Sequence, residues 1–554
     1  MKKNLLIFNF IRLRRISLCS TFLFFMHSAF PQAGEWVWIK GDSLGNQPGN
    51  FGVQGVPNPA NNPPGFYEPC VWKDLNGNFW LFGGMDFNAF PYNDLWKYDP
   101  VSNEWTWMKG QGVPFPTPVF GTQGVSSPAN NPPGTEYGVA AWTDAQSNFW
   151  LFEGAPNNLW KYTISINEWT WMKGPGINTD AGIYGVKGVP DPANYPGART
   201  ESVSAWTDNA NNLWLFGGQV GNNGEPINDL WKYDISNNTW TWMKGDSVMN
   251  NPGHYGSMGI EDSINEPPAR WAYTHWKDST GNLWLFGGGI IPSVVYNDLW
   301  RFNPSSNNWT WVNGNTFINP PGHYGSVCNI DLLNMPVGRL ENPVVFTDTD
   351  YNFWLFGGVT VDTVAGFLAS KNDLWKYCVA NNKWIWMEGD TTLNPPGNWG
   401  VQGVSSPANQ ISGRMGSVGW FDNNNHFYFF GGDHFFTGRS DDIWKFTIDT
   451  ACGVCPTPNS IEENSLTNTY ELLVFPNPTN SSLTVSFHSS EKQNIELRMY
   501  STLDKQIYFS KQEITKGKFE KEINVEKWSC GIYFLQLKTK NGTINKKVIV
   551  NHFK

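Results

Sequence analysis

A short string, N-[FL]-W-L-F-G-G, recurs at 78–84, 212–218, 282–288 and 352–358, with variants at 148–154 and 426–432. Its closing glycines fall at 84, 154, 218, 288, 358 and 432, so a unit of about 70 residues is repeated six times. A repeat of this length cannot bury its own apolar face and must stack on its neighbours, which limits the fold to a solenoid, a propeller or an array. Each unit continues with N-D-L-W-K-Y or a relative, beginning at Asn93, Asn158 (shortened), Asn228, Asn297, Asn372 and Asp441. A W-x-W follows at Trp105, Trp169, Trp240, Trp309 and Trp384. Upstream of the glycines an alternating stretch ends at Asp74, Asp144, Asp208, Asp278, Asp348 and Asp422. Alternation, aromatic enrichment and Asn-Gly turns predict four short strands per unit. The sixth unit has no W-x-W after Phe446; the missing copy stands at Trp36-Val37-Trp38, ahead of the first unit. Lending an N-terminal strand to the last sheet closes a ring and removes two open edges.

The double glycine followed by a Tyr and a Trp at fixed spacing, as in GGMDFNAFPYNDLWKYDPVSNEWTW, resembles the kelch repeat over residues 34–449. The resemblance implies an all-β, six-bladed kelch-like β-propeller of the galactose oxidase kind. These units exceed the roughly 50 residues of a kelch blade. The excess is an inter-unit loop resembling P-G-x-Y-G-x-x-G-V-x-x-P-A-N-x-P-G, with Phe51, Phe120, Tyr184, Tyr255, Tyr324 and Trp399 at its aromatic position.

The ends read differently. Residues 1–33 carry Lys2, Lys3, Arg12, Arg14 and Arg15, then an apolar run over 16–26 and small residues at Ser28, Ala29 and Ala33, the pattern of an export signal. That run is shorter than the roughly 20 residues of a membrane span, and no later stretch qualifies. After a linker at 450–471, residues 472–554 turn Lys-rich and hold a single tryptophan, Trp528. Alternating strands with Asn and Gly turns predict a small β-sandwich there. The strings LLVFPNPTNSSLTVSF and GIYFLQLKTKNGTINKKVIV resemble the sorting domain (type A) of type IX secretion cargo. The resemblance implies export through the periplasm to the cell surface or medium. It also implies recognition by the secretion machinery through Pro476, Asn477, Pro478, Gly531 and Tyr533.

Net charge is -10, and between the export signal and Ser460 the balance falls to 20 basic against 38 acidic residues. Such a surface repels a phosphate backbone, which excludes nucleic acid as the main partner. A monomer is expected. Six cysteines follow the signal, too few for a disulfide scaffold, and the spacing of Cys452 and Cys455 in CGVC makes them the suspected pair. The repeated Asp before N-G-N lacks the downstream Glu of a calcium loop and reads as an Asx-turn cap. No hydrolase or phosphoryl-transfer motif appears. His254 and His323 share one repeat position, so copper chemistry has no anchor. No metal and no cofactor are expected. Arg199, Arg270, Arg339 and Arg414 begin the innermost strands of four units, with Glu201 and Glu341 nearby, and Trp271 has no aromatic counterpart in the repeat. These five, the four arginines and Trp271, are the expected ligand-binding residues, on the face with the long, varied loops 85–92, 359–371 and 433–440. The leading expectation is a carbohydrate- or protein-binding propeller. The alternative is an enzyme of the sialic acid mutarotase or galactose oxidase kind.

Overall fold

The computed structural model describes residues 33–456 and 472–551, apart from 178–179, 202–204, 221–223, 291–292, 342, 423, 435–437, 502–505 and 541. The expected export signal and most of the linker lie outside the described residues. The chain divides into two compact units between Val454 and Cys455.

The first unit is a six-bladed propeller. In blade 1 the strands Cys70–Lys73, Phe79–Phe82, Leu95–Asp99 and Glu104–Lys109 pair in chain order, all antiparallel. The first strands of neighbouring blades touch one another around the axis. The second strands, F-W-L-F and its relatives, are buried at every residue because each is sandwiched between two adjacent sheets. Trp72 of blade 1, for example, stacks on Phe149 of blade 2 with centroids 5.0 Å apart. In blade 6 the fourth strand is Gly34–Lys40, which pairs Trp36 with Phe446 and Trp38 with Trp444. The ring is therefore closed by the N-terminal strand, as the displaced W-x-W requires.

Each repeated Asp caps its turn. Asp74 Oδ1 accepts from the Asn76 and Asn78 amides at 2.9 Å, and its Oδ2 accepts the Trp80 indole N–H at 2.9 Å. The extra 20 or so residues per unit form a flap over the outer strand of the blade that follows it. The Gly55 amide donates to Trp107 O, and Gly124, Gly188, Gly259, Cys328 and Gly403 repeat the contact on the next five blades. The flap aromatic packs on two tryptophans of that blade, as Tyr184 does on Trp231 and Trp242 at 4.9 and 5.1 Å. Every exposed outer edge is thereby covered.

One expectation fails here. Cys452 is bonded to Cys328, 124 residues away, and not to Cys455. The flap over blade 5 carries Cys328, and the chain leaving blade 6 crosses the same rim, where Gly453 has space for no side chain beside Met387. Cys378 and Cys455 are also disulfide-bonded, while Cys70 is a buried thiol.

The second unit is a sandwich of two antiparallel sheets. One holds Leu473–Phe475, Ser482–Ser489 and Gly517–Asn524; the other holds Gln506–Ile514, Gln493–Ser501, Gly531–Thr539 and Gly542–Val550. Alternate residues Leu483, Val485, Leu497, Leu535 and Val548 fill the space between them. Pro476, Asn477 and Pro478 form an exposed turn tied to the last strand, since Asn477 Oδ1 accepts from the Ile549 amide at 2.8 Å. Tyr533 is buried against Trp528 and donates its hydroxyl to Ser529 O at 2.7 Å.

Candidate functional site on the propeller axis

The four arginines are not on a surface. Arg199 is 2% exposed and grips Asp229 with two bonds of 2.7 and 2.8 Å, while its Nη1 also donates to Gly217 O. Arg270–Asp298, Arg339–Asp373 and Arg414–Asp442 repeat the pair in blades 4 to 6. The Asp is the second residue of N-D-L-W, and its Oδ2 also accepts the indole N–H of the Trp two places on, at 2.7 Å from Trp231. Flap tyrosines Tyr184, Tyr255 and Tyr324 donate to the same carboxylates. These guanidinium groups are buried and bonded within their own blade, and only Arg414 Nε lacks a partner among them. Burial disfavours the ionised form of Asp373, yet Arg339 overrides it and holds the carboxyl at about 2. Trp271, also expected at the ligand, is 3% exposed and packs on Val295, Leu340 and Val359 beneath its own loop.

Blades 1 and 2 lack the arginine, and the carboxylate is handled differently. Blade 2 replaces the Asp by Asn158, which donates to Glu153. Blade 1 keeps Asp94, whose Oδ2 has no partner; burial lifts its pKa to about 7.

Two residues beyond each arginine position the backbone takes a left-handed turn into the innermost strand: Glu68 (φ 52), Glu201 (φ 55), Ala272 (φ 52), Glu341 (φ 62) and Gly416 (φ 60). A non-glycine residue there costs about 1 kcal/mol. Bonds between adjacent blades hold the turns in place: the Glu201 amide donates to Tyr137 O, Ala272 to Glu201 O, Gly416 to Glu341 O and Glu68 to Gly416 O. Blades 1, 3 and 5 carry glutamate at this position, so three carboxylates meet on the axis with their oxygens within 4.8 Å of one another. Glu68 Oε2 accepts the Gly138 amide at 2.8 Å, Glu341 accepts the Tyr67 hydroxyl, and Glu201 Oε2 is buried without a partner. Burial raises the pKa of all three, and for Glu68 and Glu201 the neighbouring carboxylates add to the rise. Tyr67 is pushed up by burial and by the same charges.

Glu68 also borders a cavity of about 250 Å³ between the innermost strands, lined by Val71, Ala141, His275, Val345 and Gly419. His275 is held at about 4 by burial and lies edge-on to Trp206. The sequence reading placed Glu201 and Glu341 near the arginines but overlooked Glu68. Its signal is positional: F-Y-E, R-T-E and R-L-E occupy the same repeat slot in alternate units.

Residues 473–551 match the family model of the secretion system C-terminal sorting domain, and residues 210–241 match the Kelch motif. The chain is a kelch-type β-propeller followed by a type IX secretion sorting domain, exported to the cell surface or secreted. No curated protein matches the sequence. Among solved structures, the chain is similar to an auxiliary nutrient binding protein from Bacteroides thetaiotaomicron at 8% identity and TM-score 0.39, over 75% of this chain and 76% of that one. It is also similar to virginiamycin B lyase from Staphylococcus aureus at 12% identity and TM-score 0.27, over 70% of this chain and 96% of that one. No helix among the described residues is long and apolar enough to cross a membrane.

Proposed function

We propose that the protein is an extracellular binding module that presents a protein- or carbohydrate-binding face on a rigid propeller. One observation carries this reading: an apolar crown on the face that bears the long loops. Leu44, Val113, Ile177, Val248 and Phe317 share one repeat position just after the outer strands and are 69%, 48%, 77%, 64% and 55% exposed. Amides next to them, such as those of Phe115, Asn250, Asn319 and Asn394, donate to Pro91, Pro226, Val295 and Ser370 in the loops between second and third strands. Phe90 and Phe115 add a half-exposed ring pair 4.9 Å apart. Monomers rarely expose this much apolar surface on one face unless it meets a partner. Aliphatic residues predominate, which favours a protein ligand; the phenylalanines, able to stack on sugar rings, favour carbohydrate as the second reading. Export would run through the exposed turn at Pro476, Asn477 and Pro478 and the strand containing Gly531 and Tyr533. An enzyme of the mutarotase kind needs arginine beside glutamate in the channel, and here the arginines are turned into the blades.

The test compares the full chain with a Val248→Ser/Phe317→Ser variant on a glycan array and in capture from outer-membrane extracts. Ligand retained by the wild type and lost by the equally folded variant supports the crown. Undiminished retention by the variant places recognition elsewhere.

A further inference from the structure

We propose that Glu68, Glu201 and Glu341 form a calcium site on the propeller axis. The three side chains come from alternate blades and are 3%, 4% and 4% exposed. Their oxygens all lie within 4.8 Å of one another, a limit compatible with one shared ion held by calcium–oxygen bonds of 2.3–2.6 Å. Carboxylate oxygens select a hard cation, and calcium tolerates the irregular coordination that three side chains from separate blades offer, whereas magnesium demands a near-ideal octahedron. Two features separate the cluster from an ordinary acidic patch. Glu201 Oε2 is wholly buried and unpartnered, on a carboxylate that belongs to the group. A buried carboxylate oxygen with no donor costs the full desolvation of that oxygen unless something positive meets it.

Among the described residues no basic side chain is bonded to Glu201 or Glu341. Arg439, which bears on Glu68 from a distance, is bonded to Asp433 at 3.2 Å and to Asp86 O, and its guanidinium covers the Tyr67 ring at 5.0 Å. Glu68 accepts the Gly138 amide and Glu341 the Tyr67 hydroxyl, both neutral donors. A cation here would tie blades 1, 3 and 5 together on the axis.

The experiment uses the full chain, stripped with chelator, and follows thermal unfolding with and without 1 mM calcium, roughly the extracellular range. Terbium luminescence, sensitised by the adjacent Tyr67, reports occupancy directly. Calcium should raise the midpoint by at least about 5 °C by stabilising only the folded state. Glu201→Gln and, separately, Glu68→Gln should abolish both the shift and the terbium signal, while Glu388→Gln, a partly buried glutamate at the end of the outer strand of blade 5, should keep them. Either axial variant suffices if the other fails to fold. No calcium-dependent shift in the wild type overturns the proposal and leaves the carboxylates sharing protons. A shift that survives both axial substitutions overturns it by placing the ion elsewhere.

Discussion

Two sets of buried carboxylates sit within one ring and are treated in opposite ways. In blades 3 to 6 each Asp of N-D-L-W meets a guanidinium head-on, and its charge is neutralised within the blade. On the axis Glu68, Glu201 and Glu341 gather within 4.8 Å of one another, and Glu201 Oε2 is buried without a partner. The first arrangement is what a frame needs, since a buried charge is tolerated when paired. The second costs stability in the absence of a cation, and such arrangements concentrate at functional sites. The contrast separates the part of the propeller that holds its shape from the part with chemical capacity to spare.

The comparison breaks most visibly at a frame pair. Arg270→Leu leaves Asp298 with only the Trp300 and Tyr255 donors, and the expected loss is about 3–5 kcal/mol in denaturant unfolding. An axial Glu201→Gln in the same assay, metal-free at pH 7, should show no loss. Similar losses for the two variants would erase the distinction.

Asp94 offers a smaller, sharper test, because blade 1 keeps the frame carboxylate without its arginine. With its folded pKa raised to about 7, the protonated form is the one favoured by folding. That contribution is complete below the unfolded carboxyl pKa and disappears as pH rises through 7. Asp94→Asn should therefore be neutral near pH 4, gain steadily to pH 7, and level off at a gain on the order of 3 kcal/mol. Asn158 already occupies the matching position in blade 2. A pH-independent difference between variant and wild type would show that Asp94 is ionised and satisfied.

The ring was legible because its evidence is repetitive. Six double glycines set the blade count, and a tryptophan pair missing from one end and present at the other announced the closure. The arginines were misjudged because their partners lie 28 to 34 residues away, inside a motif already explained as a strand. Lining up the units against each other shows that Arg occurs only where N-D-L-W keeps its Asp, as in blade 4 with Arg270 and Asp298. Trp271 was misjudged because uniqueness in a repeat was equated with exposure, when its loop simply needed a filler. The disulfide was out of reach: a flap brings Cys328 to Cys452, and nothing in the local spacing encodes a flap's path. The axial cluster lay between these cases. Its members are in register, but convergence on one point follows only from sixfold geometry.

The most direct test of the strain among the axial carboxylates is the pH dependence of unfolding for the metal-free wild type and Glu201→Gln. Burial, with mutual repulsion at Glu68 and Glu201, raises the folded pKa values. Stability from these groups is thus full below the ordinary carboxyl range and is lost as pH rises through the raised values. Wild type should weaken progressively from pH 5 to pH 9, with Glu201→Gln showing a shallower decline and becoming the more stable of the two at the alkaline end. Parallel curves across that range would mean that the axial carboxylates are already compensated, and would contradict the account.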